Sequence, residues 1–142
     1  MNSPLLGKVI VEALLASGVR DVLLAPGSRN APISLALHAA ETAGLLGLHV
    51  RIDERVAAFT ALGMAKASGR VVAVVTTSGT AVGNLVPAAM EARASGIPLL
   101  LLTADRPASV EPSHRGGSFS GSETYLVSRR EVPSLPAGPP GP

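Results

Sequence analysis

Residues 49–69 read HVRIDERVAAFTALGMAKASG, and the parsing of this stretch decides the fold. It opens as a short apolar strand, continues through the charged cluster Asp53-Glu54-Arg55, and becomes a helix rich in small residues that closes on Gly69. An apolar strand running directly into an apolar helix is half of a βαβ crossover, so a parallel sheet is expected. The cluster at the junction has two readings. An acid in the first turn of a helix complements the macrodipole by about 0.3–1 kcal/mol, which is a sufficient structural reason for it. Alternatively, Glu54 is a carboxyl held in a cleft, where it can share a proton with a ligand.

The same alternation extends in both directions. LLGKVIVEALLASG carries apolar residues at helical spacing (Leu6, Val9, Ile10, Ala13, Leu14) and ends at Gly18. DVLL is a short apolar strand that enters the turn PGSRN, and APISLALHAAETAG is a helix with Pro32 in its first turn. RVVAVVTTSG reads as a β-branched strand, TAVGNLVPAAMEARASG as a helix bent or reset near Pro87, and IPLLLLT as a last buried strand. The fold class is therefore α/β, a parallel sheet with flanking helices. In such sheets ligands sit at the carboxyl ends of the strands. Here those ends carry PGSRN, DER, TSGT and ADRP, which should converge on one edge.

Composition agrees. Of the 142 residues, 46% are hydrophobic, 15% charged and only 2% aromatic, so the core must be built from Ala, Val and Leu with closely packed backbones. The net charge is +2, with no Lys/Arg run and no aromatic platform, which argues against nucleic-acid binding. The absence of cysteine excludes disulfides and thiolate chemistry and fits a cytoplasmic chain. The N-terminus does not read as a signal peptide, and no stretch reaches the roughly 18 apolar residues that span a membrane. His38, His49 and His114 show no ligand spacing, so no metal role is assigned to them.

After Pro107 the chain changes character. Pro, Gly and Ser supply 18 of the 35 residues from 108 to 142, and hydrophobic periodicity stops. Residues 1–107 are expected to form the domain, and 108–142 a disordered or loosely attached tail.

Each strand tip has a structural reading beside a functional one. In PGSRNAP (26–32), helix-start N–H groups favour anions, Ser28 offers a hydroxyl and Arg29 a bidentate fork for a carboxylate. Otherwise Pro26-Gly27 is a turn, with Ser28 or Asn30 as an N-cap. TTSGTAVGNL (76–85) resembles a phosphate-cradling loop but matches neither common glycine-rich motif, and Thr80 could simply cap the helix. Arg106 lies just past a buried strand and gains weight only from the convergence of the tips.

Taken together, APGSRNAP, RIDERVAAFTALGMAKASG, VTTSGTAVGNL and LLLTADRP, in that order, resemble the N-terminal, pyrimidine-binding domain of the 2-succinyl-5-enolpyruvyl-6-hydroxy-3-cyclohexene-1-carboxylate synthases. These are thiamine-diphosphate enzymes of menaquinone biosynthesis, transferases that act with Mg²⁺. The resemblance covers residues 5–107. It implies that Glu54 hydrogen-bonds N1′ of the cofactor aminopyrimidine and controls its tautomer, while the cofactor carries the carbon chemistry. It implies decarboxylation of 2-oxoglutarate and addition of the succinyl semialdehyde unit to isochorismate. Ser28, Arg29 and Arg106 match substrate-side positions, and the arginines suit carboxylate substrates. Thr80 and Asn84 match positions beside the pyrimidine.

Two departures qualify the resemblance. The Gly-Ala-Asn-Gln type segment expected after ADRP is not seen, and no GDG motif for Mg²⁺ and diphosphate occurs. In the family the two halves of each cofactor site come from different subunits of a homodimer. A truncated or frame-shifted synthase, inactive alone, is therefore expected. The alternatives are a non-catalytic pyrimidine-binding subunit that needs a separate diphosphate-binding chain, and a relative of acetolactate synthase or the decarboxylases.

Overall fold

Alternate residues along the central strands point to opposite faces of the sheet, and each buried side chain joins one of two helix layers. The computed structural model describes residues 3–104 and 125–127. The elements run α1 (Ser3–Ala16), β1 (Asp21–Leu24), α2 (Ala31–Thr42), β2 (Gly47–Val50), α3 (Glu54–Ser68), β3 (Val72–Thr76), α4 (Thr80–Ser95), β4 (Leu99–Thr103) and β5 (Tyr125–Val127). The sheet order is β2-β1-β3-β4-β5. β1 to β4 are parallel, as expected. β5 adds an antiparallel edge, with Leu99 opposite Val127 and Leu101 opposite Tyr125. The sequence reading placed no strand after residue 107. A three-residue strand bounded by polar and glycine-rich chain is too short to show a period, so only its pairing with β4 defines it.

The two layers follow from the period-2 alternation. Leu23, Val72, Val74, Leu99 and Leu101 face α3 and α4, where they meet Ala57, Ala58, Ala61, Ala65, Leu85, Ala88 and Ala92. Val22, Leu24, Ala73 and Val75 face α1 and α2, where they meet Val11, Leu14, Ile33 and Leu37. Both faces of β3 are covered, so all five of its residues are buried. Gly7 permits α1 to lie against α2, because a Cβ there would fall 2.5 Å from the Pro32 carbonyl oxygen.

α4 runs without interruption through Pro87, where the sequence suggested a bend or reset. Pro87 cannot donate to the Gly83 carbonyl, but both residues lie on the exposed side of the helix, so that carbonyl can turn to water.

The strand order creates a switch point. α2, leaving β1, packs on one face of the sheet, whereas α4, leaving the neighbouring β3, packs on the other. Chains that diverge in this way leave a crevice at the carboxyl ends of the two strands. The opposite edge is held by Asp21, which accepts from Arg70 at 3.2 Å and lies 3.3 Å from His49 Nε2.

Candidate functional site

The described strand tips converge on the carboxyl edge, and backbone bonds carry their register beyond the strands. Ala25 N–H donates to Val75 O (2.9 Å), Arg51 N–H to Leu24 O (2.9 Å) and Ala104 N–H to Thr76 O (3.0 Å). The β1 and β3 tips touch directly: a Cβ on Gly27 would lie 2.6 Å from the Thr77 Cβ, so only glycine fits there.

Asn30 shapes the β1 tip. It is 1% exposed, its Nδ2 donates to Ala25 O at 2.8 Å, and its Oδ1 accepts from Gly27 N–H at 2.8 Å. The side chain therefore ties the turn to itself instead of capping α2, and no side-chain cap bond is made there. Asn30 thus stands at the N-cap of α2, one of the two positions the sequence allowed, but without a side-chain cap bond, and Ser28 is not the cap. Ser28 and Arg29, carried on the outside of the turn, are exposed. Among the described residues no hydrogen bond or ion pair engages either side chain.

At the β2 tip the cap is Asp53, whose carboxylate accepts from Val56 N–H at 2.8 Å. Glu54 is the first residue of α3 and is not the capping group. Its Oε2 instead accepts from Asn84 Nδ2 at 3.1 Å, in a half-buried contact between α3 and α4. The alanines that line both helices let these short side chains meet.

At the β3 tip Gly79 stands at φ 80°, ψ −136°, a conformation that residues with a Cβ rarely adopt, and it occupies the N-cap of α4 without a side-chain bond. Thr80 does not cap the helix, as the sequence had allowed; it is the exposed first residue of α4. Thr76 ends β3 with its Oγ1 buried and, among the described residues, without a hydrogen-bond partner. Arg106 and His114 lie outside the described residues, as does all of the expected tail except Tyr125–Val127.

Glu54 and Asn84 are thus brought into contact, and Ser28, Arg29 and Thr80 share their edge of the sheet. The sequence reading missed the turn-locking role of Asn30 and the unpaired Thr76. An asparagine three residues after the glycine of a Pro-Gly turn was an available signal for the first; nothing local marks the second. Among the described residues no grouping of three or more His, Cys, Asp or Glu side chains could hold a metal ion. No helix among them is long and apolar enough to cross a membrane.

A parallel sheet with a glutamate at a helix start and a Ser-Gly-Thr turn on one edge is the arrangement the motifs anticipated; the strand order adds the switch point. Residues 5–122 match the family described as thiamine pyrophosphate enzyme, N-terminal TPP binding domain. The chain belongs to that family.

Its relatives agree with the motif reading. The chain is 61% identical over 100 residues to the 2-succinyl-5-enolpyruvyl-6-hydroxy-3-cyclohexene-1-carboxylate synthase of Paenarthrobacter aurescens (strain TC1), covering 70% of this chain and 18% of that relative. It is 59% identical over 131 residues to the synthase of the same name from Arthrobacter sp. (strain FB24), covering 92% of this chain and 22% of the relative. With that from Mycobacterium sp. (strain JLS) it is 46% identical over 140 residues, covering 94% and 26%. The chain therefore spans about a fifth to a quarter of the length of these relatives. The family match runs to residue 122, past the change in composition at Pro107.

The family's cofactor, thiamine pyrophosphate, carries an aminopyrimidine, and the residues present would fit that half of the molecule. A carboxylate with one oxygen free suits a protonated ring nitrogen.

Proposed function

We propose that residues 1–107 form the pyrimidine-binding half of a thiamine diphosphate site in a cytoplasmic 2-succinyl-5-enolpyruvyl-6-hydroxy-3-cyclohexene-1-carboxylate synthase. The observation that carries this reading is the state of Glu54. Asp53 performs the capping, and Glu54, which as the first-turn acid also complements the helix macrodipole, turns its carboxylate toward Asn84 and keeps one oxygen available at the site edge. Its task is to accept from, and share a proton with, N1′ of the aminopyrimidine. When bound, the cofactor supplies the electron sink for decarboxylating 2-oxoglutarate and for joining the remaining unit to isochorismate.

The other residues are assigned by position. Arg29 and Ser28, exposed on the β1 tip, receive substrate carboxylates, and Arg106, outside the described residues, is assigned with them from its motif alone. Thr80 and Asn84 lie on the pyrimidine side. Mg²⁺ and the diphosphate are assigned to a partner subunit in a homodimer, as the family resemblance implies.

Two measurements on the 142-residue chain test the proposal. Supplied with thiamine diphosphate, Mg²⁺, 2-oxoglutarate and isochorismate, it should make no product. Turnover that is abolished by Glu54→Gln would show instead that the chain holds a complete site. Calorimetric titration with thiamine diphosphate should give weak binding, weakened further by Glu54→Gln by about tenfold, the loss of one charge-assisted hydrogen bond. Equal binding by the two proteins would remove Glu54 from the site.

A further inference from the structure

We propose that Asn84 is a positioning residue that acts through Glu54: it anchors Oε2 so that Oε1 alone faces the ligand. This rests on the reading of Glu54 given above. A carboxylate only accepts, so the amide nitrogen of Asn84 must be the atom that faces it, and the 3.1 Å contact has a defined donor and acceptor. The terminal torsion of a glutamate is broad and nearly two-fold, so a free carboxylate presents either oxygen over a wide arc. One bond to Oε2 selects a single presentation.

Three features show that this bond is not incidental to helix formation. Asp53 caps α3, so Glu54 is not held in place as a capping group. Asn84 is the fifth residue of α4, where asparagine is a poor choice and where no cap is needed. Among the described residues its side chain bonds only Glu54, across to the other helix, and not a carbonyl of its own helix, the usual resort of such a residue. Both helices are seated by fully buried alanines close to the pair, Ala57 and Ala58 on α3 and Ala88 on α4, so donor and acceptor sit on rigid supports. Asn84 therefore need not touch the cofactor to affect it.

The test is nuclear magnetic resonance of the isotope-labelled 142-residue chain, with thiamine as the probe. In the unsubstituted chain, Asn84 side-chain amide protons should show Overhauser contacts to the Glu54 side chain, and Glu54 side-chain couplings should report one rotamer. Absence of those contacts overturns the proposal without any variant. In Asn84→Ala the Glu54 couplings should average while backbone resonances away from the pair stay put, and Asn84→Gln, which keeps the donor, should restore part of the order. Thiamine should perturb Glu54 in the unsubstituted chain and bind roughly threefold more weakly in Asn84→Ala, as expected for one lost hydrogen bond. If thiamine perturbs Glu54 and Asn84→Ala leaves both its order and the binding unchanged, the positioning role falls and the reading of Glu54 stands. If thiamine never perturbs Glu54, the reading itself fails and the proposal with it.

Discussion

At the residue scale, the two buried polar side chains among the described residues, Asn30 and Thr76, have opposite energetics. Asn30 satisfies a carbonyl and an N–H that would otherwise be stranded at the β1 tip. Asn30→Ala should destabilise the chain by about 2–3 kcal/mol, because both backbone groups lose their partner and Ala25 is itself buried. Thr76 is buried with a hydroxyl that is unpaired among the described residues. Thr76→Val keeps the shape and removes that hydroxyl, so stability should hold or rise by about 1 kcal/mol. Urea denaturation of the two variants checks both statements; a loss above 1 kcal/mol in Thr76→Val would mean that the hydroxyl has a partner in solution. Asp53 illustrates how fine the residue scale is. Asp53 and Glu54 are adjacent acids at a helix start, and which one caps depends on where the helix begins to within one residue. Pattern reading does not resolve boundaries that closely.

At the element scale, the spacing of alanines does more than fill volume. Ala57, Ala58, Ala61 and Ala65 keep most of the buried face of α3 low, with Leu62 the one large residue, and Ala81, Ala88 and Ala92 do the same for α4 on either side of Leu85. Low faces let the helices lie close to the sheet and to each other, as a core almost without aromatics requires. Ala61 is fully buried, and Ala61→Leu should cost about 1–3 kcal/mol by overpacking. The same substitution should also separate Glu54 from Asn84, because it pushes α3 outward. Loss of the Asn84 amide contacts in a variant that still folds would show that coupling, and full retention of stability and contacts would show that the layer has slack. The elements themselves were legible: all four parallel strands and all four helices fall where periodicity and turn residues placed them. The antiparallel β5 was not legible, because its three residues acquire a period only against β4.

At the scale of the whole molecule, apolar side chains remain on the surface of the helix layer that carries Glu54. Val56 and Phe59 on α3, and Val86 and Met90 on α4, are all substantially exposed. Exposed apolar groups in such number are unusual on a lone domain and favour association. Sedimentation velocity of the 142-residue chain should therefore show a weight-average coefficient that rises with concentration. A single monomeric boundary across the micromolar range would count against this, and with it against the homodimer of the proposed function.

The sequence alone determined the α/β class, the succession of crossovers, the gathering of the strand tips on one edge and the family, because each rests on local period or on short contiguous motifs. Right-handed crossovers between parallel strands leave little freedom in where the tips go. Tertiary structure alone decided the order β2-β1-β3-β4-β5, and therefore the switch point between β1 and β3. It also decided that Glu54 meets Asn84, thirty positions away, that Gly27 meets Thr77, and that Asp53 takes the cap. Such pairings depend on which helix crosses which face, and that is settled by burying two apolar layers at once, a condition that no single stretch of chain contains.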